Sequence, residues 1–309
     1  MLRTIPNPTL TFSGHETFVL RSNWLKKAFD LLQDQPDLFS REDAFVLMGV
    51  GKNMAQSIRF WGRVCQVFER TADGKGFQST WFGSALLADN GWDPFLVTPT
   101  SSWLLHYQLA AHPEAAFTWY YTFNRLRRGE FSSAQLVEQI SALLAEQGVK
   151  LPAPATLRRD VDCMLRCYVR PDAALLGPAA EDALHCPLHL LDLIRALPGQ
   201  ASYQLVRGAQ PDLPDALVAF AALQQARTLK RATVALNELV YGECSPGQIF
   251  RLDEDSLLAR LLHLEALTGG QAVYTESAGI RQIAWRNPTD PALDCRLLDL
   301  AFAQEQRYV

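Results

Sequence analysis

Lys52, Gln56, Arg59 and Arg63 recur at intervals of 4, 3 and 4 residues, the spacing that lines side chains along one face of an α-helix. No acidic residue interrupts that face. With Asn53 beside it, the chemistry on offer is contact with double-stranded DNA: the lysine and the arginines neutralise phosphates, while Gln56 or an arginine reads a base edge. Lys75, at the tip of Asp73-Gly74-Lys75-Gly76, would add a phosphate contact from a hairpin. The competing reading of the same residues is a solvated helix face, or a surface that docks a partner subunit.

Ser13, Gly14, His15 and Glu16 form the sharpest polar cluster. A histidine beside a carboxylate can serve acid/base chemistry, but a cluster of this kind ahead of a helix more often caps backbone groups and fixes an N-terminal arm. No second histidine follows at the spacing of a zinc-binding HExxH, so a structural motif is expected. His185, Cys186 and His189, with Cys163 and Cys167, are of metal-ligating type, and four-residue offsets would place each pair on one side of a helix. The short Cys-x-x-Cys spacing is missing and Pro187 interrupts the second pair, so buried cysteines and helix-surface histidines are expected rather than a metal site. Gly49-Val50-Gly51-Lys52-Asn53 fails as a phosphate-binding loop, because Val46 stands where the first glycine belongs and Asn53 replaces the magnesium-binding Ser/Thr. With no nucleophile elbow, dinucleotide fingerprint or metal-nuclease pattern, neither a cofactor nor a catalytic residue is expected, and the chain reads as a non-enzyme.

The elements that must position the basic face are legible from periodicity. Residues 22 to 34 place Trp24, Leu25, Ala28, Leu31 and Leu32 at helical spacing. Ser40 with Asp43 resembles a capping arrangement for a short second helix that Gly49 stops. From Lys52 to about Phe68 the apolar residues Met54, Ile58, Trp61, Cys65 and Phe68 share an arc opposite the basic one, and 67 to 82 reads as a hairpin. Helix, helix, tight turn, helix, hairpin is the order of a winged helix-turn-helix. A further helix is expected to follow, with a restart after Pro99 to Ser102 and a helix opened by Ser132. A second helix-turn-helix-like unit is expected where Leu157, Val161, Met164 and Tyr168 oppose Arg159, Asp162, Arg166 and Arg170. Residues 171 to 213 give weak signals and 214 to 239 one or two helices, before a Leu-rich helix at 254 to 267 and a hairpin from AVYT and IRQIAW. The fold class is therefore mainly α with small β-hairpin wings, divided into 1–128, winged-helix-like with a helical extension, and 129–309, mainly helical with further units of that kind. No fixed repeat period is visible.

The 309 residues, 48% hydrophobic with a formal net charge of −4, can bury a sizeable core, and the charge excludes a binder that holds nucleic acid by bulk positive charge. Six scattered cysteines read as reduced thiols of a cytosolic protein. The N-terminal MLRTIPNPTLTF lacks the apolar run of a signal peptide. The most apolar span, Trp103 to Tyr121, carries His106, His112, Pro113 and Glu114, which argues against membrane insertion; a cytoplasmic location is expected.

The runs FSGHETFVLRSNWLKKAFD (12–30), MGVGKNMAQSIRFW (48–61), DPFLVTPTSSWLLHYQLA (93–110), TLRRDVDCMLRCYV (156–169), HCPLHLLDLI (185–194) and SPGQIFRLDEDSL (245–257) together resemble domain-of-unknown-function family four thousand and seven over nearly the whole chain. His185 departs from the acidic residue expected before Cys186-Pro187. The resemblance implies a place in bacterial anti-phage or DNA-phosphorothioation gene clusters, with sulfur-transfer proteins and ATPases as neighbours and partners. It favours a DNA-binding accessory or regulatory role; the alternative is a protein–protein adaptor of the same system without direct DNA binding.

Overall fold

The computed structural model describes residues 10–171 and 185–305. It is mainly helical with small antiparallel sheets, and it divides into two compact units. One holds residues 10–122, 126–171 and 185–205; the other holds 123–125 and 206–305. The division near 128 expected from the sequence falls inside the first unit, just past the three residues that the second unit takes from this stretch.

The first unit opens with α1 (Ser22–Asp34), a 3-10 turn (Leu38–Ser40), α2 (Ala44–Leu47) and α3 (Lys52–Val64), followed by the strands β1 (Phe68–Arg70) and β2 (Phe77–Ser79). α1 buries Trp24, Leu25, Ala28 and Leu32 as the spacing requires, with Phe29 rather than Leu31 completing the apolar face. α3 sets Ile58, Trp61 and Val64 into the same core, where each fully buried large side chain contributes about 1.5–3 kcal/mol. Gly62 lets α3 approach β1: a Cβ there would lie 2.0 Å from the Phe68 ring. The expected Ser40–Asp43 cap does not form. Asp43 stands at the N-cap of α2 without a side-chain cap bond, because Arg41 takes both its oxygens, Nε and Nη2 each at 2.9 Å. Gly49, at φ 60°, ends the short helix in the left-handed region.

α4 (Trp81–Leu87), α5 (Pro99–Ala111) and α6 (Phe117–Asn124) follow. α5 is buried on every side from Thr100 to Ala110, which explains its apolar composition. Its start is fixed by Thr98, which accepts from Ser101 N, and by Asp93, which accepts from the Thr98 hydroxyl at 2.7 Å and the Ser101 hydroxyl at 2.7 Å. Among the described residues no helix is long and apolar enough to cross a membrane.

Two three-stranded sheets share one topology. In the first unit β3 (Glu130–Phe131), α7 (Ser133–Glu146), α8 (Pro154–Tyr168), β4 (Ile194–Ala196) and β5 (Tyr203–Leu205) give the strand order β3-β5-β4. The second unit runs α9 (Asp215–Leu229), β6 (Thr233–Ala235), α10 (Leu236–Tyr241), α11 (Pro246–Ile249), α12 (Glu254–Leu261), α13 (Leu264–Leu267), β7 (Ala272–Ser277), β8 (Ile280–Trp285) and α14 (Ala292–Glu305), with the order β6-β8-β7. In each, a strand, helices and a hairpin succeed one another, and the last strand lies between the other two. Ser132 and Gln135 close a reciprocal capping box on α7. The single Leu-rich helix expected at 254–267 is broken at Leu262 and His263. The strands β4 and β5 fall in the stretch that gave weak signals, part of which, 172–184, lies outside the described residues.

Candidate nucleic-acid interface

The structure places Lys52, Asn53, Gln56, Arg59 and Arg63 on α3, all exposed except Arg59, which is half-buried. Lys52, Arg59 and Arg63 form no ion pair with any described carboxylate. Arg59, Lys52 and Gln56 line one wall of a groove of about 490 Å³, with Phe39, Phe45 and Glu42 on the other side. Arg41 also reaches this groove, but Asp43 already holds its guanidinium.

Sequence reading missed Arg70. The pairing of Arg70 with Phe77 across the hairpin stacks its guanidinium 5.2 Å from the ring centroid, and Nη1 donates to Gly74 O at 3.1 Å. Burial, followed by the neighbouring guanidiniums of Arg70 and Arg59, pushes Arg63 below its ordinary value. Arg70 from β1 and Arg59 from α3 thus both act on Arg63, with no carboxylate among the groups that do, an arrangement an anion would relieve. The sequence carried no signal for it: both residues after the buried Phe68 are exposed, whereas strict alternation would turn Arg70 to the side of Phe68. Lys75 is exposed at the hairpin tip as expected, yet Asp73 stands close by: its carboxylate accepts from the Thr71 hydroxyl and from Lys75 N at 3.0 Å, and both hold it below the usual carboxylate range.

Ser13, Gly14, His15 and Glu16 lie elsewhere, in a segment that runs between α3 and α8. His15 is fully buried. Its Nδ1 accepts from Thr17 N at 3.0 Å, which leaves Nε2 to donate to Asp160 at 2.9 Å. Asp160, itself buried on α8, also accepts from Ser13 N at 2.7 Å and from the Thr118 hydroxyl at 2.5 Å. The Phe18 carbonyl accepts from Trp61 Nε1 on α3 and from Cys163 Sγ on α8. Ser13, Glu16 and Thr17 adopt φ of 67°, 46° and 64°, and Gly14 98°, a run of left-handed residues that only over-determined surroundings maintain. Gly14 is required, since a Cβ would meet the Phe60 ring at 2.8 Å. A histidine sealed among Phe60, Trp61 and Trp119 cannot touch a macromolecular substrate, and the cluster works as a wedge that fixes α3 against α8.

Cys163 and Cys167 on α8 come close to Cys186 and Cys65, all four buried and free. Burial pushes the thiols of Cys65, Cys163 and Cys186 up. His185 is exposed. His189, expected on a helix surface, is buried instead, its Nε2 donating to Arg166 O at 2.9 Å. Among the described residues no three His, Cys, Asp or Glu side chains are arranged to hold a metal ion.

A mainly helical chain with small hairpins and a clustered arginine face is what fold and site define. The chain belongs to the family described as "Protein of unknown function (DUF4007)", which it matches over residues 12–299. It is similar to the structure described as "SspB crystal structure", with 29% identity and a TM-score of 0.84 over 96% of this chain and 88% of that one. It is also similar to "Magnesium ion-bound SspB crystal structure", with 28% identity and a TM-score of 0.81 over 97% of each chain. No curated protein matches it.

Proposed function

We propose that this protein binds double-stranded DNA as a non-enzymatic accessory or regulatory component of a bacterial anti-phage or DNA-phosphorothioation-type system in the cytoplasm, beside sulfur-transfer or ATPase proteins. α3 acts as the recognition helix of a winged helix-turn-helix: Lys52, Arg59 and Arg63 meet phosphates, Asn53 and Gln56 face base edges, and the β1–β2 hairpin brings Arg70 and Lys75 to the backbone. The observation that carries the reading is that Lys52, Gln56, Arg59 and Arg63 lie along one face of α3, with Arg70 on the adjoining hairpin and none of these cations in an ion pair among the described residues. The test is fluorescence anisotropy of a short mixed-sequence duplex, with and without phosphorothioate, across a salt series. Binding that weakens steeply with salt is expected, and its loss in a folded Arg59→Ala/Arg63→Ala variant; retained binding by that variant sinks the assignment.

The adaptor reading draws on Trp81, Phe95 and Val97, exposed at 53%, 67% and 72% on α4 and the loop after it. Flat anisotropy at low salt together with a co-purifying partner would move the assignment there. The magnesium ion of the similar structure raises the question of a divalent ion on this chain. Magnesium commonly takes one or two carboxylates and completes its shell with water and phosphate, and Glu42 in the α3 groove is a carboxylate in no ion pair among the described residues. Supercoiled plasmid incubated with the protein and Mg²⁺ stays intact on the non-enzymatic reading; conversion to open circles would replace it by a magnesium-dependent nicking activity.

A further inference from the structure

The second compact unit gathers two arginines with no carboxylate among the described residues bonded to either. Arg207, half-buried ahead of α9, donates from Nη1 to the carbonyls of Gly247 at 3.2 Å and Leu252 at 2.5 Å, and from Nη2 to Oε1 of Gln248 at 3.0 Å. Arg251, just after α11, donates from Nη1 to the same Oε1 at 3.2 Å. One amide oxygen therefore holds the two guanidiniums side by side.

Arg251 is 7% exposed, and its buried Nε has no hydrogen-bond partner. Burial, then the charge of Arg207, pushes its guanidinium down to about 9. Asp253 acts on Arg207 from a distance, but its carboxylate is occupied at the start of α12, accepting from Ser256 N at 2.8 Å. Arg251 sits at φ 55°, a left-handed conformation that tertiary contacts must maintain. Arg207 has a structural reason to be here, because it ties the carbonyls around α11. Arg251 has none of that kind: one bond to an already shared acceptor does not offset the burial of a charge beside another of the same sign.

We propose that Arg207 and Arg251 form an oxyanion site, with Gln248 setting their spacing, for a tetrahedral phosphate- or sulfate-type anion, free or as the phosphodiester of a nucleic acid. A guanidinium presents paired N–H donors in a rigid fork. A tetrahedral oxyanion has enough oxygens to accept from two such forks together. The site is separate from the α3 face and stands or falls independently of it.

The test compares the melting temperature of the full chain in phosphate, in sulfate and with a thymidine dinucleotide, each against chloride at matched ionic strength. A saturable rise in phosphate or sulfate, with apparent affinity at least about tenfold weaker in Arg251→Gln, supports the site and assigns it to a free oxyanion. A rise with the dinucleotide alone, likewise weakened in Arg251→Gln, supports it and assigns a nucleic-acid phosphate. Equal responses in the native chain and Arg251→Gln overturn it, as does the absence of any response. Should Arg251→Gln fail to fold, arginine Nε–Hε NMR of the native chain decides: a slowly exchanging buried Nε–H must shift saturably with phosphate or the dinucleotide, and an unmoved signal overturns the proposal.

Discussion

The two ends of the chain use helices and a hairpin in similar order and turn opposite chemistry to solvent. α3 presents Lys52, Arg59 and Arg63 with no ion-pair partner among the described residues, and Arg70 joins them from the hairpin. α12 begins instead with Asp253, Glu254 and Asp255, residues that suit a helix N-terminus and repel phosphate. Five arginines of the second unit are tied internally: Arg227 to Asp294, Arg260 to Asp215, Arg231 to Glu238, Arg296 to Asp290 and Arg281 to Glu254. An order of elements thus says little about what a module touches. Whether its cations are already partnered says more.

The largest expected effect concerns how each unit is braced. Asp160 is buried and accepts three hydrogen bonds in the first unit, whereas Arg227 clamps Asp294 and two carbonyls of the second from a partly exposed position. Asp160→Ala strands its buried donors and should cost about 3 kcal/mol or more, Arg227→Ala about 1–2 kcal/mol. Urea denaturation of both variants checks this, and a smaller loss at Asp160 would break the contrast.

Next comes DNA affinity. Arg59→Ala/Arg63→Ala should weaken duplex binding about 100-fold and flatten the dependence of log K on log salt by about 2, while Arg281→Ala on the C-terminal hairpin should change it less than about twofold. Equal losses from the two hairpin modules would erase the distinction. Within the N-terminal hairpin, Arg70→Ala should cost about 3- to 10-fold and Lys75→Ala less, because the Asp73 carboxylate, bonded to Lys75 N at the same tip, repels phosphate there. A reversed ranking would place DNA at the hairpin tip rather than along its base.

Helical periodicity made α1, α3 and the facing arcs of α3 legible, because an amphipathic helix writes its buried side every three or four residues. The basic face was legible for the same reason. Arg70 was not: a three-residue strand carries too short a pattern, and the proximity of Arg70 to Arg63 exists only after β1 folds back beside α3. His15 was singled out from its neighbours in sequence, but its partner Asp160 lies 145 residues away and faces inward among residues otherwise apolar, where a helical wheel offers no reason to pair it. The shared topology of the two three-stranded sheets left no trace of a repeat, since strand pairing specifies alternation and register rather than residue identity.

The smallest expected effect is pH dependence, and it falls on the first unit. Burial, the main cause, holds His189 below its ordinary value of 6.5, with the Arg166 carbonyl opposing. A histidine whose folded value is depressed binds its proton more readily in the unfolded chain. Its contribution to stability is therefore fully present above 6.5 and is lost as pH falls through the lower folded value. Denaturation midpoints between neutral and mildly acid pH should fall in the native chain and fall less in His189→Gln. A profile indifferent to His189→Gln would mean that the acid-sensitive contact lies elsewhere and that the burial of this histidine is not what sets it.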